Sequence, residues 1–388
     1  MMTDNKRKLN LAILFTNYGP YHLARVKQFQ RHAKQIGWQV TGVELTRTGV
    51  AYKWETNLED TLFNIISILG EQAPQNVNAW TLINQVCKTF RNIAPDVVII
   101  GGYFRLAMIV ALFWCKICHV PIILLSESKE DDSQRNWLLE HIKSCLIRCY
   151  TSALVGGKVH KRYLLKLGMP HQAIFLGYDV VGNETFCPTK IRVLPSPLGR
   201  PYFLTVNRFL PKKNILRMLS AYAKYCEAVP ENRWDLVLCG DGPLREQIEQ
   251  KIDGLVFGDS VHITGFLQQE ELLPFFAHAS CFIHASYQEQ WGLVVNEAMA
   301  AGLPVLVSNT CGCFEDLVIE GVNGFGFDPE DVEELAALMI RMGSGTVDLI
   351  QMGEASLAHI ANYSPDYFAK GLVDAVQYAL AQNQSKKL

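Results

Sequence analysis

Two carboxylates eight residues apart, Glu289 and Glu297, bracket an apolar run in YQEQWGLVVNEAMAAGLPVLVSNTCG, residues 287–312. A carboxylate is costly to bury without partners, so the pair marks either a solvated surface or the wall of a polar cleft. Neighbouring segments favour the cleft. Asn207 and Arg208 follow the apolar run YFLTV, and Lys213 comes at the start of a helical stretch. Two fixed cations beside the N–H groups of a helix start form an anion site suited to phosphate. Gly240 and Gly242, in CGDGP, permit close backbone approach, and Gly265 follows VHIT. Gly292, Leu293 and Val294 open the helix that carries Glu297, so their amides suit phosphate oxygens. Glu297 is placed to accept hydrogen bonds from a diol, and Glu289 from further hydroxyls. Together these residues describe a site for a molecule with negative charge and hydroxyl groups.

The elements that must position them alternate. Short runs rich in Ile, Val and Leu predict strands over 11–16, 40–44, 97–100, 122–126, 153–155 and 174–176. Between them, helical periodicity predicts helices over 22–36, 59–69, 80–93, 106–118, 136–148 and 157–166. Residues 187–201 are proline-rich without amphipathic period and read as a linker. The pattern restarts with strands over 202–206, 236–239, 261–263, 281–284 and 305–308, separated by helices over 214–226, 242–252, 270–276 and 296–301; 332–342 continues it. The expectation is an α/β chain of two doubly wound, Rossmann-like domains facing across a cleft. The domains are residues 1–186 and 202–365, with a helix over 366–388 packing back on the first and a tail that frays from 382.

Composition bounds the function. The 388 residues are 49% hydrophobic and 19% charged, enough for two cores. Near balance between 36 basic and 38 acidic residues argues against a nucleic-acid protein. Eleven cysteines, scattered through apolar segments, read as free thiols of a reducing compartment. A zinc site drawn from Cys115, Cys118, Cys145 and Cys149 is not expected, since the first pair sits in an apolar run without the turn residues that would shape a knuckle. The basic cluster Lys6, Arg7, Lys8 precedes an apolar run too short for a secretion signal, and residues 106–125 are interrupted by Lys116 and His119, against a membrane span. A cytoplasmic chain is expected. Peripheral membrane contact stays open, and the oligomeric state is not legible.

Five segments together carry a resemblance. NRFLPKKN, LVLCGDGPLREQIE, VHITGFLQQEELLPFFAHAS, the stretch from Glu289 through WGLVVNEAMAAGLPVLVSNTCG, and EGVNGFGFDPED occur in the order seen in a large retaining glycosyltransferase family. That family, of the GT-B fold, includes sucrose synthases, bacterial glycogen synthases and mannosyltransferases. The resemblance covers most of residues 202–342. It implies that Arg208 and Lys213 neutralise the diphosphate of a nucleotide-sugar donor, UDP- or GDP-type. It also implies that Glu289 contacts the donor sugar, that Glu297 binds ribose, and that Phe266 and Leu267 flank the base. No metal and no cofactor is implied; the partners are the donor and a small-molecule, glycan or lipid-linked acceptor.

The first half of the chain is less family-like. Its first strand is followed by TNYGPYH, where Gly19 and His22 either approach diphosphate and acceptor or simply start a helix. Many relatives carry a histidine where IILLSESKEDD offers Ser126, Glu127 and Ser128. Gly102 and Tyr103, after DVVII, are a further acceptor-side loop. Glu130, Asp131 and Asp132 read as a solvated loop, and His284 and Trp291 take either a packing or a ligand role. Alternatives to sugar transfer are a phosphorylase or pseudo-glycosyltransferase on the same scaffold, or an inactive nucleotide-sugar-binding subunit.

Overall fold

The computed structural model describes residues 8–47, 61–132 and 136–385. Lys6 and Arg7 of the basic cluster and the last three tail residues lie outside them. The chain divides into two units, Met1–Val180 with Pro365–Leu388, and Val181–Ser364.

In the first unit the order is β1 (Asn10–Phe15), α1 (Pro20–Gln35), β2 (Gln39–Glu44), β3 (Asn64–Ser67), α2 (Ala79–Ile93), β4 (Val97–Gly101), α3 (Leu106–Ile117), β5 (Ile122–Ser126), α4 (Trp137–Ile147), β6 (Ser152–Val155), α5 (Lys158–Lys166) and β7 (Ile174–Leu176). The strands line up as β3-β2-β1-β4-β5-β6-β7, every pair parallel. Central strands buried on both faces read as continuous apolar runs, which is why β1, β4 and β5 were plain in the sequence.

The second unit contains α6 (Pro188–Ile191), β8 (Tyr202–Val206), α7 (Ile215–Ala228), β9 (Asp235–Cys239), α8 (Arg245–Asp253), β10 (Val261–Gly265), α9 (Gln269–His278), β11 (Cys281–His284), α10 (Leu293–Ala300), β12 (Val305–Ser308), α11 (Phe314–Leu317), β13 (Gly324–Phe327), α12 (Val332–Gly343) and α13 (Leu349–Ile360). Its sheet runs β10-β9-β8-β11-β12-β13, again parallel. The chain then returns to the first unit as α14 (Pro365–Ser385), which packs on α1 and lies along β5, β6 and β7.

Right-handed crossovers fix the layers. The steps from β3 to β4 and onward to β7 put α2, α3, α4 and α5 on one face of the first sheet. The reverse step from β1 to β2 puts α1, and with it α14, on the other. The order reverses at β1/β4 and, in the second unit, at β8/β11, the points where such sheets take ligands.

The helix expected over 59–69 is not there. Residues 59 and 60 lie outside the described residues, and 64–67 form the edge strand β3, with Thr41 opposite Asn64 and Glu44 opposite Ser67. The adjacent β-branched pair Ile65-Ile66 suits an edge strand better than a helix interior. Strand β13 was also unread, because its two glycines dilute the strand signal. The tail is helical to Ser385. All eleven cysteines are free; Cys115 is buried whereas Cys118 and Cys145 are exposed. No helix among the described residues is long and apolar enough to cross a membrane.

Helix α14 approaches β7 so closely that a Cβ on Gly371 would lie 2.4 Å from the Leu176 carbonyl oxygen. Alanine there gains about 1 kcal/mol in helix propensity but forces helix and strand apart, an overpacking cost of about 1–3 kcal/mol. Gly371→Ala is therefore expected to lower the unfolding free energy in urea titration; a stabilised variant would show that the helix can back away freely.

Candidate functional site

In the second unit the site is assembled from four strand ends and one helix start. Beyond β8, residues 211–213 form a single 3-10 turn, and Asn214 takes a left-handed conformation with φ +59° to open α7. The Asn214 amide donates to the Ala285 carbonyl at 3.1 Å and to Pro329 at 2.7 Å, and the Tyr287 N–H donates to Lys212 at 3.1 Å. These bonds hold the turn against the loop after β11. As a result the Lys213 ammonium pairs directly with the Glu289 carboxylate.

Glu289 has two more neighbours. Its Oε2 accepts from the Ser286 hydroxyl at 3.4 Å and lies 3.4 Å from His284 Nε2. Burial pushes the carboxyl upward, but the His284 contact and the Lys213 charge outweigh it and hold Glu289 well below the usual carboxylate range. His284, fully buried at the end of β11, is pushed down mainly by burial despite the carboxylate beside it. It is therefore neutral at pH 7. A carboxylate only accepts, so the His284 proton sits on Nε2 and points at Glu289.

Around this pair the backbone comes close. Gly240, at φ +150°, lies where a Cβ would be 1.7 Å from the Asn207 carbonyl oxygen, so no other residue fits without moving β8. Its N–H donates to Gly265 at 2.8 Å, joining two of the expected site glycines. Asn207 is buried; its amide donates to the Thr205 hydroxyl, while its Oδ1 has no partner. Gly292, at φ +106°, starts α10, with Leu293 and Val294 partly exposed and Glu297 buried one turn on. Arg208 is exposed just past β8, Phe266 is 42% exposed and Leu267 is partly so. Trp291 packs: it is 1% exposed, and its indole N–H donates to Asn296 at 2.8 Å.

The first-unit candidates also gather at strand ends. Gly19 precedes α1 at φ −87°, an ordinary value, with open space where a Cβ would stand. His22 stacks on Phe15 at 4.0 Å, and burial with the nearby Arg25 charge brings its pKa to about 3. Gly102 has φ +82°, and the buried Tyr103 hydroxyl donates to Ser128 at 3.3 Å. Glu127 follows β5 and is half-buried.

Two further residues had no sequence signal. Arg25 is buried at 1% exposure; its Nε donates to the Val180 carbonyl at 2.9 Å and its guanidinium covers the Tyr178 ring at 4.7 Å. Asp179 lies 3.6 Å from Arg25, and burial together with the Glu127 charge raises its pKa well above the normal range. A helix arginine and an aspartate after a weak strand gave no reason to pair them.

Residues 188–357 match the family model described as glycosyl transferases group 1. That match spans 170 of the 388 residues. Among curated relatives, it is 27% identical over 42% of its length to the 2-deoxystreptamine N-acetyl-D-glucosaminyltransferase of Niallia circulans. It is 33% identical over 40% of its length to the sulfoquinovosyl transferase SQD2 of Arabidopsis thaliana. The matches span 41% and 30% of those two proteins, less than half of either. Among solved structures, HepE of Anabaena, in complex with UDP and glucose, superposes with a TM-score of 0.75 at 18% identity, covering 95% of this chain and 99% of that one. The fold is GT-B. Within the matched residues 188–357, Gly240, Gly265, Lys213 and Glu289 lie at strand ends or in the segments that follow them, and Gly292 and Glu297 lie at the start of α10.

Since the folded-state pKa of Glu289 is depressed, the pair's contribution is complete above the unfolded value of about 4.3 and fades as pH falls through the folded one. Glu289→Gln is expected to destabilise the chain by about 1–3 kcal/mol at pH 7. The gap to wild type should narrow below pH ~4. Urea titrations at both pH values measure it; a gap that widens in acid would reverse the assignment.

Proposed function

We propose that the chain is a retaining glycosyltransferase that moves a sugar from a UDP- or GDP-type nucleoside diphosphate donor to an acceptor hydroxyl. The observation that carries this reading is the Lys213–Glu289 pair, set between glycine-lined strand ends and the start of α10. Glu289 is held ionised and therefore acts only as an acceptor, which suits sugar hydroxyls. An arriving diphosphate would share the Lys213 ammonium, with exposed Arg208 as its second cation. Glu297 would hold the ribose, and Phe266 with Leu267 the base. The orphaned Asn207 Oδ1 supplies a further acceptor for a donor hydroxyl. HepE, which shares the fold, was solved with UDP and glucose.

In the proposed reaction the bond from the anomeric carbon to the diphosphate oxygen breaks as the acceptor hydroxyl attacks from the same face. The departing phosphate oxygen takes the acceptor proton. Lys213 and Arg208 stabilise the charge that develops on the leaving group, a role for preorganised cations that needs no metal. The acceptor would lie near Gly19, His22, Gly102, Tyr103 and Glu127. His22 there is neutral, so it contributes a hydrogen bond and no charge.

Lys213→Ala and Arg208→Ala should each slow turnover by at least about tenfold, since losing a charge-assisted hydrogen bond costs about 1.5–3 kcal/mol. Wild-type rates in both folded variants would place the donor elsewhere. Turnover should survive EDTA; loss restored by manganese or magnesium would refute the metal-free mechanism. Calorimetry with UDP and GDP separates the two glutamates. Glu297→Gln should weaken binding of the preferred nucleotide, while Glu289→Gln should leave that affinity nearly unchanged and lower turnover. The opposite pattern would exchange their roles.

A further inference from the structure

At the ends of β5 and β7 the first unit brings two carboxyl groups to one cation. The Asp179 side chain, after β7, is fully buried, and the half-buried Glu127, after β5, lies within hydrogen-bond reach of it. The cation is Arg25 on α1. Its Nη2 stands 3.6 Å from Asp179 Oδ1, beyond hydrogen-bond distance, and its Nε donates to the Val180 carbonyl. The turn that holds Asp179 is fixed. The Gly177 and Tyr178 N–H groups donate to the Val155 carbonyl at 3.0 and 3.1 Å. A Cβ on Gly177, at φ +118°, would lie 2.9 Å from the Tyr367 carbonyl oxygen, so α14 closes the turn from the other side.

The other groups around the pair do not supply a second cation. His22, also on α1, is neutral, with its pKa brought to about 3, and burial and the Glu127 charge push the Tyr178 phenol up. From α14, Phe368 faces Tyr178 at 6.3 Å between rings, while Asp366 and Lys370 pair with each other. Lys129, beyond Glu127, pairs with Asp131 at 2.9 Å. Two carboxylates in contact cannot both ionise cheaply, and Arg25 matches only one of them. A proton removes the surplus charge, and burial places it on Asp179. A protonated carboxyl can donate, whereas an ionised one only accepts, so the Asp179 O–H donates to Glu127. Glu127, the partly exposed member, is the one a ligand can reach.

We propose that Asp179 keeps a proton, shares it with Glu127 in a hydrogen bond, and so aims the Glu127 carboxylate at a hydroxyl of the sugar acceptor. Asp179 is then a positioning residue, and Glu127 touches the substrate. When Asp179 ionises as pH rises, the bond is lost and the two carboxylates repel, so acceptor binding falls on the alkaline side. The hydroxyl clause rests on the sugar-transfer reading; the shared proton does not.

The proton is tested first, without substrate. Infrared difference spectra of the full chain against Asp179→Asn at pH 7 should show a protonated-carboxyl band in wild type that the variant lacks. Its absence from wild type overturns the proposal. Kinetics follow, with octyl β-D-glucoside as acceptor and a panel of UDP- and GDP-sugars as donors. Asp179→Ala should raise the acceptor KM at least about tenfold and leave the donor KM within about twofold. Asp179→Asn, whose amide still donates, should return the acceptor KM to within about threefold of wild type. The acceptor kcat/KM of wild type should fall as pH rises, and that of Asp179→Asn should stay level over the same range. A folded Asp179→Ala with the wild-type acceptor KM overturns the proposal. So does an alkaline fall that persists in Asp179→Asn, a result that decides even where Asp179→Ala does not fold. Wild type that turns over no donor in the panel sinks the sugar-transfer reading and the hydroxyl clause with it, while the spectra still decide the shared proton.

Discussion

A carboxylate enclosed by protein must be given a cation or a proton, and the second unit gives Glu289 a cation. Much of the local architecture serves that contact. The left-handed Asn214 and its two main-chain bonds fix the turn that carries Lys213. The Tyr287–Lys212 bond brings the facing loop to it, and the fully buried His284 supports the carboxylate from below. Removing either charge leaves the other partly enclosed and unmatched, a larger penalty than the pair's net worth. The pair therefore specifies a geometry more than it stabilises a fold.

That geometry depends on main chain coming close to main chain. Gly240 and Gly265 exchange a backbone hydrogen bond at the ends of neighbouring strands, and Gly292 turns the chain into α10. Parallel sheets lend themselves to this. All strands end on the same side, so every loop that follows a strand reaches one edge, and side chains far apart in sequence meet there. Lys213 and Glu289, 76 residues apart, are an instance.

How much of this was legible follows from what each feature leaves in a linear sequence. Core strands such as β1, β4 and β12 were clear because burial on both faces writes itself as an unbroken apolar run. Edge strand β3 was misread, since four residues carry too little periodicity to decide between a strand and a helix. Glu289 and Lys213 were singled out by type and by position after strands, but their pairing came only with the fold. Asn214 and Ser286 went unnoticed, and His284 was left open, because a supporting side chain is distinguished by where it is buried. Arg25 and Asp179 show the same limit more sharply: 154 residues separate them, and neither stands in a motif.

The return of α14 to the first unit has a consequence for how the molecule is made. The second unit is an insertion between β7 and the helix that covers β5, β6 and β7. A ribosome delivers the first unit's sheet early, yet the face that α14 covers stays open until the whole second unit has been synthesised. Its apolar side chains, Leu154 and Phe175 among them, must wait through that interval without their final cover. The second unit, contiguous in sequence, can close as soon as it emerges. The half of the protein that is translated first is thus the half that finishes last, and its vulnerable period lengthens with every residue of the domain inserted into it.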